Sequence, residues 1–538
     1  MDNLFKSLIG MQITAHSKDF STTGQITPDD LSEAVTLGFR SIICNRPDHE
    51  GGADQPVSSI IQAEAKRLGL EFAYLPVQPS AISDTDVEDF GRLLDSLPAP
   101  VLAFCRTGNR STTLYQKASA SVTRSKATSG LPDITADILI IGGGSAGIGV
   151  AASLLKRSPD LRITLIEPND QHYYQPAWTL VGGGAYDVRK TVRPMSRVIP
   201  RNVTWIKAAV VEVLPDTKRL TLNNGQSLAY QHLIVCPGLR LAWEHIEGLE
   251  ETLGKHGVTS NYRYDLCSYT WQLVQGLRRG KALFSQPAMP IKCAGAPQKA
   301  LYLSCDHWQK SGVLQDMDVE FNLAGAALFG VAAFVPPLMK YIEKYQAQLV
   351  FGSNLVKVDG PGKTAWFESR DAHGTLVRQA KRFDMLHVVP PQVAPEFIRS
   401  SPLADSAGWC EVDPGTLQHS RYTDVFALGD ICSTSNAKTA AAARKQIVVV
   451  AENLLALRRH QPMPLRYDGY GSCPLTVEKG KVVLAEFGYG AKLLPSFPLD
   501  PTIARRSAWF LKASFLPWFY WNGMLKGREW LTSVSKPE

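Results

Sequence analysis

The sequence predicts an α/β protein with several domains. Short apolar runs of strand length alternate with helical patterns along most of the 538 residues. A chain of this length exceeds one ordinary domain, for which about 150 residues is the guide. Its hydrophobic fraction of 44% and charged fraction of 20% are typical of folded globular chains.

The charge balance and the cysteine count exclude some functional classes. The formal net charge of +7 helps binding to an anionic membrane surface but is too diffuse to indicate nucleic acid. The N-terminal residues lack the apolar run of a secretory signal, so we expect a cytoplasmic location. The nine cysteines are spread over the chain, and any disulfide is therefore expected to be catalytic rather than structural. No metal site is predicted.

Residues 1–116 have the pattern of a small α/β domain, and residues 117–136 that of a linker. Apolar runs at residues 41–44, 72–75 and 101–104 predict strands. The segment 117–136 is dominated by Ala, Ser, Thr and Lys without apolar periodicity, which is typical of a linker. The remaining chain is predicted to form a larger α/β core over 137–460 and a C-terminal region over 461–538.

Local signals predict where some helices begin. Thr27 before Pro28 fits an N-cap followed by proline in the first turn, and Thr85 with Glu88 fits a capping box. The longest apolar stretch, residues 321–339, has nearly the length of a membrane span but is interrupted by two prolines. We therefore predict that it is a buried crossover helix.

A dinucleotide-binding fingerprint begins at residue 137. Gly142, Gly144 and Gly147 follow an apolar strand and open a helix, and Glu167 ends the next strand. Glycines at this spacing allow a tight turn and close approach of a pyrophosphate, while the acidic residue binds ribose hydroxyls. The strand–turn–helix–strand context makes this a strong prediction of a Rossmann-like domain.

A second signature lies at residues 423–446, where a strand precedes Gly429, Asp430 and an Ala-rich helix. It is similar to the second signature of flavoproteins related to the disulfide reductases. The resemblance implies FAD as the cofactor, with Asp430 at the ribityl chain and Lys438 in the same loop near the flavin.

The middle of the chain lacks the further glycine fingerprint that NAD(P)H-dependent relatives carry. Residues 288–308 instead contain Cys293 at the start of a loop, and Cys432 follows the Gly-Asp loop of the second signature. We therefore expect electrons to enter through sulfur rather than from a nicotinamide.

The chain resembles the sulfide:quinone oxidoreductases of mitochondria and many bacteria. The stretches that carry this resemblance are QHYYQPAWTLVGGG (171–184), PIKCAGAPQK (290–299), HVVPPQVAPEFIRSSPLAD (387–405), TLQHSRYTDVFALGD (416–430), AKTAAAARKQ (437–446) and YDGYGSCPL (467–475). It implies hydrogen sulfide or bisulfide as substrate, ubiquinone or menaquinone as electron acceptor, and a small sulfur acceptor such as sulfite or a low-molecular-weight thiol.

The resemblance also implies two reactive cysteines beside the flavin, opened by bisulfide to a persulfide and a thiolate. Cys293 matches the family loop directly. Cys432 is preferred as its partner over Cys410 or Cys473, although Ile431 separates it from the Gly-Asp pair. A helix N-terminus and Lys292, Lys299 or Lys438 are candidates for lowering the thiol pKa values; they are the loop lysines nearest in sequence.

The C-terminal segment 504–530 has the composition of an interfacial membrane anchor. Aromatic residues lie among Leu and Met, with Arg and Lys at both ends. The alternative is a helix packed on the protein's own core. The resemblance favours peripheral attachment at the cytoplasmic face of a bacterial inner membrane, with Phe515, Phe519 and Tyr520 as candidate quinone contacts; a homo-oligomer is an open alternative.

The N-terminal domain contains a cysteine loop, CRTGNRS, with Cys105 and Arg110 between a strand and a helix. Such loops direct N–H groups at an anion beside the thiolate. The flanking sequence resembles a bacterial phosphatase-like family, but tyrosine phosphatases have one more residue between Cys and Arg. The shorter loop resembles that of rhodanese-type sulfurtransferases, which is the preferred function. A phosphatase would need a general acid, for which Asp48, Asp84 and Asp86 are candidates.

The predicted fold is therefore an N-terminal phosphatase-like α/β domain, two Rossmann-like domains and a C-terminal amphipathic segment. Two other functions stay open. An NAD(P)H:quinone reductase would need a nicotinamide site that residues 281–300 do not show, and a flavin-bearing redox sensor would not turn over sulfide.

Overall fold

The chain divides into two units, Met1–Pro132 and Asp133–Glu538. The structure is a computed structural model that describes residue 11 and residues 13–78, 82–127 and 134–532. The predicted α/β class is confirmed, with sheets and helices in both units.

The N-terminal unit is a five-stranded sheet in the order β1-β2-β5-β3-β4, parallel except for the β1–β2 pair. Its core includes Ile42, Leu102 and Phe104. The strands are β1 Ile13–Ala15, β2 Phe20–Thr23, β3 Ser41–Cys44, β4 Glu71–Tyr74 and β5 Val101–Phe104. The helices are α1 Leu31–Thr36, α2 Ser58–Arg67, α3 Asp84–Ser96 and α4 Asn109–Ala127.

Three local predictions in this unit meet different outcomes. Thr27 caps the helical turn Pro28–Asp30, as expected. The capping box of α3 is formed by Ser83 and Asp86 rather than by Thr85 and Glu88, because the helix begins two residues earlier than the sequence indicated. Helix α4 continues to Ala127 into the predicted linker, since Ala and Lys are good helix formers and nothing before that point breaks a helix.

The second unit begins with a seven-stranded sheet that holds the glycine fingerprint. Strands β10-β7-β6-β13 are parallel, β24 adds to β13 in parallel, and β12 and β11 extend the sheet in antiparallel pairing. The crossover from β6 through α5 to β7 is the predicted βαβ unit. These strands are β6 Ile134–Ile141, β7 Ile163–Ile166, β10 Val203–Ile206, β11 Val210–Leu214, β12 Arg219–Leu222, β13 Ser227–Val235 and β24 Val425–Ala427.

A second parallel sheet has the strand order β15-β22-β16-β17-β18 and lies between β13 and β24 in the sequence. Between its strands β18 and β22 the chain forms the antiparallel sheet β19-β20-β21. The smaller pairs are β8–β9, β14–β23 and the C-terminal hairpin β25–β26. Their bounds are β8 Gln171–Tyr173, β9 Val192–Pro194, β14 Arg240–Leu241, β15 Val258–Thr259, β16 Gly280–Gln286, β17 Met317–Leu323, β18 Gln348–Phe351, β19 Asn354–Asp359, β20 Thr364–Arg370, β21 Leu376–Arg382, β22 Met385–His387, β23 Gln392–Val393, β25 Gly471–Glu478 and β26 Lys481–Phe487.

The helices of this unit cover both sheets and end in a short aromatic helix. One turn of π-helix, Leu511–Phe515, joins the last two. Their bounds are α5 Ser145–Arg157, α6 Trp178–Gly182, α7 Met195–Val198, α8 Leu249–Thr252, α9 Tyr264–Gly276, α10 Ala296–Lys310, α11 Val335–Lys344, α12 Glu396–Arg399, α13 Ala440–Arg458, α14 Arg506–Phe510 and α15 Leu516–Asn522.

The apolar stretch 321–339 is not one crossover helix, and that prediction was wrong. It contains the end of β17, a turn region and the start of α11, whose first turn holds Pro336 and Pro337. Proline is tolerated there because the first N–H groups of a helix have no intrahelical partner. No helix within the described ranges combines the length and the apolar composition needed to cross a membrane.

Candidate functional site

The glycine loop between β6 and α5 has the backbone geometry that a dinucleotide requires. Gly142 has φ +102°, and a Cβ there would lie 2.4 Å from the carbonyl oxygen of Cys236. A Cβ on Gly147 would lie 1.9 Å from the carbonyl oxygen of Gly142. A Cβ on Gly144 would meet nothing within 4 Å, so this face of the loop is open to a ligand. Gly142 and Gly147 are therefore required by close packing of the backbone, whereas Gly144 borders the space that is open to a ligand.

Glu167 lies at the end of β7, beside the glycine loop. Its carboxylate accepts hydrogen bonds from the N–H of Gly143 at 2.8 Å and the N–H of Asn169 at 2.9 Å. The side chain is buried and faces the start of α5. This is the position from which an acidic residue binds ribose hydroxyls in a dinucleotide fold.

A large cavity runs from the glycine loop to Cys293. Gly144 and Ser145 line one end, and Cys293 and Lys299 line another. Gly429 and Asp430 line the same cavity, so the two sequence signatures meet there. Burial raises the pKa of Asp430, opposed by Lys292 and Lys438.

These residues fit an extended dinucleotide such as FAD. The open Gly144 cradle, Glu167 and the helix N-terminus suit the adenosine and pyrophosphate half. Arg444 lines the cavity and its buried Nε has no hydrogen-bond partner in the protein, which leaves a donor for a ligand. Lys438 also lines the cavity, and its Nζ donates to the carbonyl oxygens of Asp430 and Cys432, both at 2.8 Å, which fixes the loop.

Tyr520 joins the C-terminal helix to the glycine loop. Burial lowers the pKa of His172 to about 4, so its ring is neutral. Its Nδ1–H donates to the carbonyl oxygen of Gly143 at 2.9 Å, and Nε2 therefore accepts from the Tyr520 hydroxyl at 2.6 Å. Ser145 Oγ in turn donates to Tyr520 at 2.7 Å. The hydroxyl of Tyr520 is thus engaged beside the dinucleotide cradle.

Two cysteine thiols are in direct contact beside the cavity. Cys293 lies in the loop between β16 and α10, and Cys473 lies on β25. The Cys473 thiol donates a hydrogen bond to Cys293, and this contact, with Lys299, holds the pKa of Cys293 well below its usual range despite burial. The same hydrogen bond and burial raise the pKa of Cys473 well above its usual range. The pair is therefore a thiolate at Cys293 and a thiol at Cys473.

Two buried lysines supply positive charge to this pair. Lys299 Nζ lies 3.1 Å from Cys293 Sγ, and Lys299 is only 4% exposed. Lys512 is also buried and donates to the carbonyl oxygen of Pro474 at 2.9 Å and to Thr476 Oγ1 at 2.6 Å. The positive charge of Lys512 also lowers the pKa of Cys293. The pKa of Lys512 itself is lowered by burial and by the nearby charge of Lys299. The other two candidate lysines point elsewhere: Lys292 Nζ donates to Gln175, and Lys438 to backbone carbonyls.

Close packing of α10 on β25 brings the two cysteines together. A Cβ on Gly295 would lie 2.3 Å from Leu475 Cδ2, so only glycine allows this approach. The N–H of Gly295 donates to the sulfur of Cys473. Cys293 has φ +49°, and its N–H donates to the carbonyl oxygen of Lys438 at 2.8 Å.

The structure corrects the preference for Cys432 as the partner of Cys293. The backbone of Cys432 pairs with that of Cys410 in an isolated parallel β-bridge. Both side chains are buried in the core of the first sheet of the second unit. Burial raises the pKa of Cys432 to about 12. The insertion of Ile431 after the Gly-Asp pair signalled this mismatch, and the cysteine in contact with Cys293 is Cys473, in the matched stretch 467–475.

The C-terminal helices pack on the protein with one face and expose the other. Phe519 and Tyr520 are buried in the main core, whereas Phe510 is 66% exposed and Trp518 48% exposed. One face of this segment therefore packs on the protein's own core, and the other leaves aromatic side chains exposed. A second, mainly apolar cavity of about 400 Å³ lies beside it and is lined by Phe515, while Phe519 and Tyr520 line the large cavity.

The cysteine loop of the N-terminal unit is built around a buried arginine. The N–H of Gly108 donates to Cys105 Sγ at 3.2 Å. Arg110 donates to the carbonyl oxygen of Asn45 at 2.9 Å and to Glu50 at 2.7 Å, and its buried Nε has no partner in the protein. The loop thus carries a buried cysteine and a buried arginine five residues apart in sequence.

The three candidate general acids are not equivalent. The carboxylate of Asp48 accepts from Ser58 N–H and Oγ, both at 2.7 Å, and that of Asp86 caps α3. The side chain of Asp84 lies outside the described residues. Both described carboxylates thus have structural partners.

Comparisons with known proteins agree with this organisation. Residues 12–122 match the family described as beta-lactamase hydrolase-like protein, phosphatase-like domain, and residues 136–267 match the pyridine nucleotide-disulphide oxidoreductases. The mitochondrial sulfide:quinone oxidoreductase of Dictyostelium discoideum is 40% identical over 396 residues, which are 73% of this chain and 86% of that protein. That of Mus musculus is 38% identical over 391 residues, with the same coverage of 73% and 86%.

A solved structure shares the fold of the second unit. The sulfide:quinone oxidoreductase of Aquifex aeolicus superposes with a TM-score of 0.63 at 17% identity, covering 75% of this chain and 97% of that one. The predicted family and FAD as cofactor are confirmed. The chain belongs to the sulfide:quinone oxidoreductase family, as an FAD-dependent enzyme with an additional N-terminal phosphatase-like domain.

Proposed function

We propose that this enzyme oxidises sulfide at the pair Cys293 and Cys473 and transfers the electrons to a membrane quinone. The observation that carries the proposal is the contact between the Cys473 thiol and the Cys293 thiolate beside two buried lysines. A low-pKa thiolate is the form that reacts with sulfur species. Cys293 also lines the large cavity into which FAD fits.

The lower pKa of Cys293 determines the direction of the first step. Bisulfide attacks the Cys473 sulfur of the oxidised pair, the Cys293–Cys473 bond breaks, and a new S–S bond forms on Cys473. Cys293 leaves as a thiolate, because the thiol of lower pKa is the better leaving group. Lys299 stabilises this anion at 3.1 Å.

The cycle closes when the sulfane sulfur leaves Cys473 for an acceptor and the two cysteines are oxidised again. Because the reduced pair is a thiolate at Cys293 and a thiol at Cys473, that reoxidation releases two electrons and one proton. FAD bound in the large cavity supplies the chemistry to accept the electron pair and pass it to a quinone. Lys438 and Asp430 hold the loop that borders Cys293 while this occurs.

The second, apolar cavity is the proposed quinone site. It shares lining residues with the large cavity, and its volume of about 400 Å³ is in the usual range for small-molecule sites. Phe515 lines it, which keeps this residue as the first candidate contact for ubiquinone or menaquinone. Phe519 lines only the large cavity, and Tyr520 is engaged with Ser145 and His172.

The exposed aromatic face around this cavity is proposed to lie on the membrane surface. Phe510 and Trp518 project from the C-terminal helices, and Leu499 and Ile503 lie exposed on the segment before them. Apolar and aromatic side chains of this kind bind at the headgroup boundary. We place the enzyme at the cytoplasmic face of a bacterial inner membrane, where a lipid-dissolved quinone reaches the cavity.

The N-terminal domain is proposed to transfer sulfane sulfur through Cys105. The unpartnered Nε of Arg110 supports an anionic substrate, and the short loop from Cys105 to Arg110 favours a sulfur species over a phosphate ester. Cys105 would take sulfur from a low-molecular-weight persulfide and pass it to sulfite or a thiol. Phosphatase activity is the alternative.

Anaerobic flavin spectra test the main proposal. Sulfide is expected to bleach the flavin, NADH is not, and Cys293→Ser or Cys473→Ser abolishes the response. Cys305→Ser, on α10, is the matched control for replacement of a buried cysteine, and Cys432→Ser tests the alternative partner of Cys293. Both variants should still be bleached by sulfide. Bleaching by NADH, or loss in Cys432→Ser but not in Cys473→Ser, would overturn the proposal.

Mass spectrometry after limited sulfide tests where the sulfur goes. We expect an added sulfur atom on Cys473 and, with a persulfide donor, on Cys105. Absence of sulfur from Cys105, together with hydrolysis of an aryl phosphate that Cys105→Ser abolishes, would replace the sulfurtransferase by a phosphatase.

A further inference from the structure

A buried carboxylate lies where the two cavities meet. Both cavities are lined by Leu484, Glu486, Phe497, Leu511 and Leu531. Glu486 is the one titratable side chain in this shared set, and it is only 4% exposed. An ionisable group is rarely buried among apolar neighbours unless its chemistry is used or fully satisfied.

Hydrogen bonds fix the position of this carboxylate. The hydroxyl groups of Tyr470 and Ser496 donate to Oε1 at 2.5 and 2.6 Å. The N–H of Ser496 donates to Oε2 at 2.9 Å. Glu486 is on β26, whose hairpin partner β25 carries Cys473, so the carboxylate is held on the same rigid element as the cysteine pair.

The carboxylate is connected to the protein surface by polar side chains. Lys445 Nζ lies 4.0 Å from the centroid of the Tyr470 ring and 3.4 Å from Asp468 Oδ2. The side chain of Asp468 is 28% exposed. The row Asp468, Lys445, Tyr470 and Glu486 thus leads from solvent to the junction of the cavities. Burial raises the pKa of Tyr470 to about 12, so its hydroxyl stays protonated as a donor.

We propose that Glu486 is the proton donor to the quinone in the apolar cavity. Reduction of a quinone to a quinol takes two electrons, supplied by sulfide oxidation, and two protons, one on each ring oxygen. Glu486 donates a proton to the nearer oxygen and recovers one through the Tyr470 hydroxyl, which lies 3.4 Å from the hydroxyl of the exposed Ser496; the other ring oxygen takes its proton from solvent. This inference rests on the proposed quinone site and adds the group that protonates the bound quinone.

Separate half-reactions test the proposal in the full-length holoenzyme. In stopped-flow experiments, Glu486→Gln is expected to be bleached by sulfide at a rate within about twofold of wild type, since no Cys293 or Cys473 contact changes. Reoxidation of the reduced enzyme by a short-chain ubiquinone is expected to be roughly 100-fold slower, the usual scale for removal of a general acid. Unchanged reoxidation would overturn the proposal.

Two further variants keep the test decisive. Glu478 is on the same hairpin but is paired with Lys344 and Lys481, so Glu478→Gln should be reoxidised at the wild-type rate. If it were reoxidised as slowly as Glu486→Gln, a specific role of Glu486 would be overturned. If Glu486→Gln loses its flavin, Tyr470→Phe decides, because it keeps the ring and removes the relay hydroxyl. Normal reoxidation in Tyr470→Phe would then overturn the proposal, whereas failure of wild type to be bleached by sulfide would refute the proposed function instead.

Discussion

The ammonium group of Lys299 lies 3.1 Å from the sulfur of Cys293, in the first turn of α10. Both side chains line the large cavity, and Lys512 adds a second positive charge nearby. Within a buried site such a contact favours the thiolate more strongly than in water.

Replacement of Lys299 by methionine is expected to raise the pKa of Cys293. A hydrogen bond to a charged group contributes about 1.5 to 3 kcal/mol, which corresponds to roughly one to two pKa units. Because the charged form loses its donor, the thiolate fraction at neutral pH falls and sulfide-dependent bleaching slows. The pH dependence of Cys293 alkylation in the reduced enzyme measures the shift.

Lys310→Met is the matched control, since Lys310 is on the same helix but is exposed and paired with Asp306. Its alkylation profile should coincide with that of wild type. An unshifted profile in Lys299→Met would show that Cys473 and Lys512 alone hold the thiolate.

Replacement of Gly295 by alanine is expected to destabilise the second unit. The added Cβ would lie 2.3 Å from Leu475 Cδ2, and Leu475 is fully buried in the core. Overpacking of this kind costs about 1 to 3 kcal/mol. Thermal unfolding of the holoenzyme should have a lower midpoint temperature. Displacement of the backbone at residue 295 should also weaken the hydrogen bond from its N–H to the sulfur of Cys473.

Gly276→Ala provides the comparison, because a Cβ there would meet nothing within 4 Å. That variant should unfold at or slightly above the wild-type temperature. A stable Gly295→Ala protein with normal bleaching would mean that α10 and β25 adjust to the extra methyl group.

The sequence predicted the parts of the site that depend on local patterns. Gly142, Gly144, Gly147 and Glu167 lie where the fingerprint indicates, because one strand–turn–helix unit specifies them. Cys293 was found in the same way, from the loop after β16.

The residues that sequence reasoning missed depend on contacts between distant segments. Cys473 and Lys512 reach Cys293 only because β25 and the turn after α14 pack against α10. Such long-range packing leaves no periodic signal in the sequence. The matched stretch 467–475 was the available indication for Cys473, while the aromatic composition around Lys512 drew attention to membrane binding instead.

Replacement of Tyr520 by phenylalanine tests which cavity this residue serves. Its hydroxyl is hydrogen-bonded to His172 and Ser145 beside the glycine loop. Loss of two neutral hydrogen bonds costs about 1 to 3 kcal/mol. We expect faster dissociation of FAD and an unchanged KM for quinone. The recovery of flavin fluorescence after dilution measures the dissociation rate.

Tyr341→Phe, on α11, is the control for loss of a tyrosine hydroxyl in the same unit. It should change neither quantity. A raised quinone KM in Tyr520→Phe, with FAD retention unaltered, would instead support the quinone contact inferred from the sequence.

The exposed aromatic face predicts a specific loss of membrane binding. Phe510 and Trp518 are 66% and 48% exposed, so their replacement by serine removes apolar surface without opening the core. Burial of a large apolar side chain contributes about 1.5 to 3 kcal/mol, and the double variant should bind anionic lipid vesicles at least about 100-fold more weakly. Vesicle co-sedimentation measures this affinity.

Phe351→Ser is the matched control, because Phe351 is 44% exposed at the end of β18. It should leave vesicle binding unchanged. Bleaching of the flavin by sulfide should be preserved in the double variant, since neither Cys293 nor Lys299 contacts this face, whereas turnover with a long-chain quinone in vesicles should fall with binding. Equal loss of binding in Phe351→Ser would assign the attachment to general apolar exposure rather than to the C-terminal helices.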